Sequence, residues 1–188
     1  CEGGHAVADV LFGDVEPGGR LPVTVPRATV DLPPFENYAM AGRTYRFATT
    51  APLYPFGYGL GYTSWELGDL RLHPVAMVPG GALEVSVEVQ NVGARSGRTV
   101  VQYYVSPPAG GGGPSVKLID FSTVELAPGA RVRVTSQLPA TTGSVHDEGG
   151  QSRNFPGNWR VFAALAAPVE RARELGVPVP LCATVAVT

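Results

Sequence analysis

The chain has 188 residues, 44% of them hydrophobic and only 16% charged, with 24 Gly, 18 Pro and a formal charge of −2. This balance gives no reason to expect a nucleic-acid partner or attraction to an anionic membrane, and no apolar run approaches the length of a membrane span. High Gly and Pro with low charge favours many short strands and turns over long helices.

Residues 4–12 read GHAVADVLF. Ala6, Val7, Val10 and Leu11 fall at helical spacing and Gly13 follows as a stop, so a short helix with one apolar face is expected. Gly18-Gly19-Arg20 makes a turn, and Leu21 to Val25 reads as a short strand closed by Pro26, with Pro22 favouring an edge or a strand start. One helix and one strand cannot bury a core. Residues 1–30 are therefore expected to finish a domain whose beginning lies elsewhere, leaving Ala6, Val10 and Leu11 as an apolar patch that seeks a partner.

Residues 31–63 are rich in Pro and aromatic residues and weak in periodicity, which fits a long ordered connector. Its densest part is Pro55 to Thr63, where Gly57, Gly59 and Gly61 alternate with Tyr58, Leu60 and Tyr62. Gly lets another segment approach the backbone closely, and the large residues supply contact area at fixed spacing. The segment is expected to pack between two bodies.

From Trp65 the pattern turns to alternation. Leu67, Leu70 and Leu72 begin it, with Gly68 as a candidate bulge. Leu83, Val85, Val87 and Val89 oppose Glu84, Ser86, Glu88 and Gln90. Asn91-Val92-Gly93 turns the chain, and the apolar content of Val100 to Val105 suggests a strand covered on both faces. Further strands are expected at 116–126, around Val132 and Val134, around Trp159 to Ala163, and around Ala183 to Val187. Residues 168–175 suit a helical turn with Pro168 in its first turn. About seven strands with turn signals between them predict an antiparallel β-sandwich of the immunoglobulin or fibronectin type III kind over residues 64–188.

The residues that carry chemistry are sparse. Gly110 to Gly113 lacks the Gly-Lys-Ser/Thr ending of a phosphate loop and reads as a flexible connection. Ser144, His146 and Asp147 have the residue types of a triad, but they sit within four residues of one another and need a scaffold to converge. His5, His73 and His146 are scattered, and no spacing suggests a metal or another cofactor. Cys1 and Cys182 are too few for a disulfide framework; two free thiols are favoured over one bridge. Glu2, Asp9, Asp14, Glu16, Asp31 and Glu36 precede the sandwich, and no spacing among them nominates a catalytic pair. Arg43-Thr44-Tyr45-Arg46 is the densest polar–aromatic cluster. It suits either a sugar site or a pinned connector, and pinning is favoured.

Gly4 to Gly13 followed by Pro17 to Pro26 resembles the end of the second, α/β domain of glycoside hydrolase family 3. Gly42-Arg43-Thr44-Tyr45-Arg46-Phe47 with Pro52 to Thr63 resembles that family's connector, in the form of its β-xylosidase rather than its β-glucosidase branch. Gly61 stands where the family usually has Ser. Residues 91–93, 97–105, 118–126 and 128–129 resemble its fibronectin type III-like domain, with Asp120-Phe121 in place of the usual Gly-Phe, whereas 139–158 and 167–179 fit the family pattern poorly. The resemblance implies an exo-acting, retaining β-glycosidase whose nucleophile and acid/base lie upstream. It implies no catalytic residue here, with Tyr38, Arg43 and Tyr45 as substrate-side candidates. The implied partner is the N-terminal barrel and α/β portion of the same enzyme, with an oligosaccharide as substrate of the complete enzyme. The implied location is extracellular or periplasmic. A non-catalytic scaffold derived from a glycosidase is the rival reading, and a carbohydrate-binding module a weaker one.

Overall fold

The computed structural model describes residues 2–78, 81–110, 113–146 and 149–188. Cys1 and Asp147 lie outside them, so neither a Cys1 bridge nor a triad through Asp147 has a described geometry.

Helix α1 spans Gly3–Phe12 and is stopped by Gly13, which takes φ 82°. The expected strand at 21–25 forms no sheet. Pro22 and Pro26 have no N–H to donate, so a ladder cannot run through them. This segment pairs with the connector instead. Leu21 N–H donates to the Tyr58 carbonyl (2.8 Å), Gly57 N–H to Leu21 (2.8 Å), Val25 N–H to Tyr54 (2.9 Å) and Leu53 N–H to Val25 (2.8 Å). The connector carries one further helical turn, α2, at Thr44–Phe47.

The remainder is a sandwich. Its strands are β1 (Trp65–His73), β2 (Ala76–Met77), β3 (Leu83–Asn91), β4 (Gly97–Ser106), β5 (Lys117–Leu126), β6 (Arg131–Leu138), β7 (Ser144–His146), β8 (Ser152–Asn154), β9 (Gly157–Ala164) and β10 (Leu181–Val187). One sheet has the order β1-β3-β6, the other β2-β10-β9-β4-β5, and β7-β8 is a separate hairpin. All pairings are antiparallel except the two-residue pairing of β2 with β10. The bulge in β1 lies between Gly68 and Arg71, with Asp69 at φ 48°; a short Asp side chain tolerates that conformation.

Alternation explains the core. Leu83, Val85, Val87 and Val89 of β3 are fully buried with Val101, Tyr103 and Val105 of β4, Val161 of β9 and Val185 of β10. Each such side chain contributes about 1.5–3 kcal/mol of burial. Trp65 and Trp159 lie in the same core, and the Trp159 ring N–H donates to the Phe155 carbonyl at 2.9 Å.

From Val101 to Ser106 every residue of β4 is buried. The reason is a second small core on the outer face, where Tyr104, Val116, Ala164 and Ala167 meet Tyr45 and Phe56 of the connector. A third cluster joins Tyr58 to Ala166 and Ala172, with Leu21 against it. Ala172 belongs to helix α3 (Glu170–Glu174), which starts after an extended Val169. Pro168 therefore precedes the cap and is not in the first turn.

Candidate functional site

The connector lies on one face of the sandwich, held by named polar side chains. The Gln102 amide donates to the carbonyls of Gly57 (3.1 Å) and Leu165 (3.0 Å), while its oxygen accepts from the Tyr104 hydroxyl (2.5 Å). Burial holds the Tyr104 phenol well above its ordinary pKa, so it remains a donor at any ordinary pH. Both Glu16 carboxylate oxygens accept from Tyr62 N–H, at 3.0 and 2.9 Å. Arg20 donates to the Thr99 hydroxyl at 2.9 Å, and the Arg95 guanidinium lies 5.6 Å from the Tyr62 ring centre. These contacts tie residues 13–20, the connector and the sandwich together.

Beside them lies a cavity of about 450 Å³, lined by Thr24, Asp31, Met40, Arg43, Tyr45 and Phe56 among others. Two of the three candidate site residues line it, and each has a structural task. Arg43 gathers the 34–39 loop, donating to the carbonyls of Ala39 (3.1 Å), Asn37 (2.5 Å) and Pro34 (3.3 Å). Tyr45 stacks on Phe56 (ring centres 4.3 Å apart) and meets Tyr104 edge-on (6.0 Å), and its hydroxyl accepts from Leu118 N–H at 3.2 Å. Tyr38 does not line the cavity; it is 86% exposed. Thr44, at the cavity wall, takes φ 57°, a strained conformation for a β-branched residue.

The cavity's lining holds one carboxylate, Asp31, which accepts from Ala28 N–H at 3.0 Å. Glu16 is engaged as described above, and Glu2 pairs with His5 at 2.7 Å on the surface. No other upstream carboxylate lines this cavity among the described residues; Asp14 and Glu16 share a separate small cleft with Tyr62 and Arg95, where both Glu16 oxygens accept from Tyr62 N–H. Ser144 donates its hydroxyl to Asn154 (2.9 Å) within the β7-β8 hairpin and is not paired with His146.

The expected apolar patch on α1 is shifted. Val10 is half-buried, its carbonyl accepting from the Tyr62 hydroxyl, whereas Val7, Leu11 and Phe12 are 59%, 75% and 86% exposed. Val30 and Phe35 are equally bare. Sequence periodicity placed the apolar stripe on the helix but missed that the connector takes one edge of it.

The division of labour at Tyr45 is testable. Tyr45→Ala removes a half-buried ring from two aromatic contacts and is expected to lower stability by about 2–3 kcal/mol, less than a fully buried ring. Tyr45→Phe, which leaves Leu118 N–H without its acceptor, is expected to lower it by about 1 kcal/mol. Urea melts with matched m-values check both figures.

The fold is thus an immunoglobulin-like sandwich with a helix and a wrapping connector docked on it. Residues 1–62 match the glycosyl hydrolase family 3 C-terminal domain, and residues 99–165 match the fibronectin type III-like domain. The chain is the C-terminal part of a glycosyl hydrolase family 3 protein. It is 37% identical over 162 residues to a xylan 1,4-β-xylosidase of Xylanibacter ruminicola, covering 86% of this chain and 18% of that protein. A periplasmic β-glucosidase of Salmonella typhimurium is 36% identical over 174 residues, covering 86% of this chain and 23% of its own length. The solved structure of a β-glucosidase from Erythrobacter marinus superposes with a TM-score of 0.80 at 32% identity, over 99% of this chain and 24% of that one. The chain spans about a fifth of the length of these relatives.

Proposed function

We propose that this chain is the non-catalytic C-terminal portion of an exo-acting, retaining β-glycosidase, a β-xylosidase or β-glucosidase that removes terminal β-linked sugars. Its parts are the end of an α/β domain (1–30), a connector (31–63) and a fibronectin type III-like sandwich (64–188). Its task is to complete the α/β domain and brace the cleft. The nucleophile and the acid/base come from the upstream barrel and α/β portion.

The observation that carries this reading is the uneven apolar surface. Val7, Leu11, Phe12, Val30 and Phe35 stand exposed within residues 1–35, closer together along the chain than Val75, Val78, Phe121 and Val179 do on the sandwich. Exposed apolar side chains this frequent in a short segment favour a surface that a partner covers. On this reading Tyr38, Arg43 and Tyr45 border the substrate side, Tyr38 by its free ring and the other two by shaping the wall behind it. The location proposed is extracellular or periplasmic.

The weaker alternative, a sugar-binding module, needs a planar row of exposed rings. Phe12, Phe35, Tyr38 and Phe121 are exposed, but both tryptophans are buried, Trp65 at 8% and Trp159 at 2% exposure, which favours the bracing role. The test is to assay p-nitrophenyl β-xyloside and β-glucoside with this chain alone and with the upstream portion supplied. The expected result is no turnover alone and turnover from the combination. A combination that forms yet stays inactive on both substrates would leave a scaffold role instead.

A further inference from the structure

A second cavity, of about 140 Å³, opens where α2, the start of β5 and the β7-β8 hairpin meet. Three of its lining side chains are basic, Arg46, Lys117 and His146, and no carboxylate lines it among the described residues. Val105 and Trp159 form an apolar floor. Lys117 is the only lysine in the chain.

Among the described residues no acid pairs with Arg46, Lys117 or His146. The Arg46 guanidinium is half-buried, and its Nε is buried without a hydrogen-bond partner, although the group rests over the Phe47 ring at 5.4 Å. The hydrogen bonds of Arg46 are made by its backbone: its carbonyl accepts from the Ser115 N–H and hydroxyl, both at 2.9 Å, and its N–H donates to the Thr44 hydroxyl at 3.3 Å. That anchoring fixes where the guanidinium emerges. Burial, and next the Arg46 charge, push the Lys117 ammonium below its usual pKa. Two like charges held half out of water on one wall oppose folding unless something neutralises them. Side chains this long can reach toward solvent, yet both residues are half-buried in the cavity wall.

We infer that this cavity is a binding site for a small oxyanion, a carboxylate, sulfate or phosphate group held between Arg46 and Lys117. The guanidinium supplies a planar fork of donors and the ammonium a movable point charge, the usual pairing for such groups. The oxyanion can come from a free inorganic ion or from the acid group of a sugar. The site does not rest on the glycosidase reading: Arg46 also lines the first cavity, but none of Tyr38, Arg43 and Tyr45 lines this one.

The test is NMR of the reductively ¹³C-methylated protein, with the Lys117 resonance assigned by its loss in Lys117→Arg. Methylation keeps the positive charge. Sodium sulfate, phosphate and glucuronate are titrated at constant ionic strength against chloride and glucose. The expected result is a saturable shift with at least one oxyanion, absent with chloride and glucose, and about tenfold weaker in Arg46→Gln. Tighter binding of glucuronate assigns a sugar acid; tighter binding of sulfate or phosphate assigns an inorganic ion. A shift that grows linearly and equally with chloride overturns the site. So does saturable binding seen only in Asp147→Asn/Glu148→Gln, which would make the chain's own next two residues the counter-charge. Melting temperatures give a second reading. Lys117→Gln is expected to melt at or above wild type in chloride and below it in saturating oxyanion. A variant that melts well below wild type in both conditions would assign Lys117 to packing alone.

Discussion

Gly59→Ala is expected to release residues 1–30 from the sandwich while leaving the sandwich folded. A Cβ at Gly59 would stand 2.3 Å from the Gly19 carbonyl oxygen, with Arg20 side-chain atoms at 2.6 and 2.9 Å. The first of these is backbone and cannot swing away. The turn at 18–20 must lift off the connector, and the Leu21–Tyr58 and Gly57–Leu21 hydrogen bonds go with it. The loss expected is about 3 kcal/mol or more of docking free energy, from two backbone bonds between half-buried Leu21 and buried Gly57 and Tyr58, and from the Leu21 contact with the Tyr58 cluster. Gly57→Ala strikes the other side of the same segment. Gly57 has φ 76°, and its Cβ would meet the buried Gln102 amide at 2.0 Å. This change combines about 1–3 kcal/mol of backbone strain with disruption of a buried hydrogen-bond network. Gly61→Ser is the contrast. There the nearest atom is a Glu16 carboxylate oxygen at 2.5 Å, the movable end of a side chain that can accept from the new hydroxyl. A change within about 1 kcal/mol is expected. Tryptic cleavage after Arg20, read beside a urea melt, separates the three: rapid cutting in Gly59→Ala with a sandwich transition near that of wild type, a lowered sandwich transition in Gly57→Ala, and neither in Gly61→Ser. A Gly59→Ala protein as resistant at Arg20 as wild type would refute the docking argument.

The three glycines also show where sequence reading stops. Their alternation with Tyr58, Leu60 and Tyr62 predicted close approach by two bodies, and the structure supplies them: Gln102 on one side, Gly19 and Glu16 on the other. The pattern could not name these partners, because they lie more than 35 residues away along the chain. The sandwich strands were legible because each buries alternate residues against the opposite sheet, and period two survives in the sequence wherever one face is wet. Val101 to Ser106 broke that period for a reason the sequence hinted at, since the connector covers the second face.

The elements that went unread are short or borrowed. β7 and β8 have three residues each and expose most of what they carry, so no periodicity marks them. Residues 21–25 have the β-branched content of a strand, but Pro22 within it, Pro26 after it and the nearness of the connector give their hydrogen bonds to residues 53–58 instead. Arg43-Thr44-Tyr45-Arg46 was readable as a pinned cluster. That Arg46 would share a cavity with Lys117, 71 positions later, was not. Helical and strand periods report which face of an element is apolar; they carry no information about which distant charges the fold brings together.

Asn91 is where that distinction matters most for stability. Asn91-Val92-Gly93 reads as a turn, and the chain does turn there, but Asn91 is fully buried and every polar atom it has is paired. Its side-chain oxygen accepts from the Thr63 hydroxyl (2.5 Å) and Gly93 N–H (3.0 Å), and its amide donates to the carbonyls of Arg95 (2.8 Å) and Leu126 (3.0 Å). Its backbone N–H donates to Ala130 and its carbonyl accepts from Gly129. One side chain thus fastens the end of the connector, the β3-β4 turn and the end of β5. Asn91→Ala leaves two carbonyls, a hydroxyl and the Gly93 N–H to find water in a closed space, and is expected to lower stability by about 3 kcal/mol, or roughly 6–12 °C in Tm. Asn91→Asp is expected to be worse at neutral pH. The new oxygen replaces a donor and faces two carbonyl oxygens, while the ionised group sits out of water. Both effects favour the neutral carboxyl, so its folded pKa lies above its unfolded value near 3.9. The penalty is therefore small below about pH 4 and grows by up to about 1.4 kcal/mol per pH unit above it, until the folded pKa is reached. Melts of the two variants between pH 4 and pH 7 make the comparison. Asn91→Ala should hold a nearly constant deficit relative to wild type, and Asn91→Asp a deficit that widens with pH. A flat Asn91→Asp profile would mean that water or a cation reaches this site, and that the connector is not sealed against the β3-β4 turn in the way the hydrogen bonds imply.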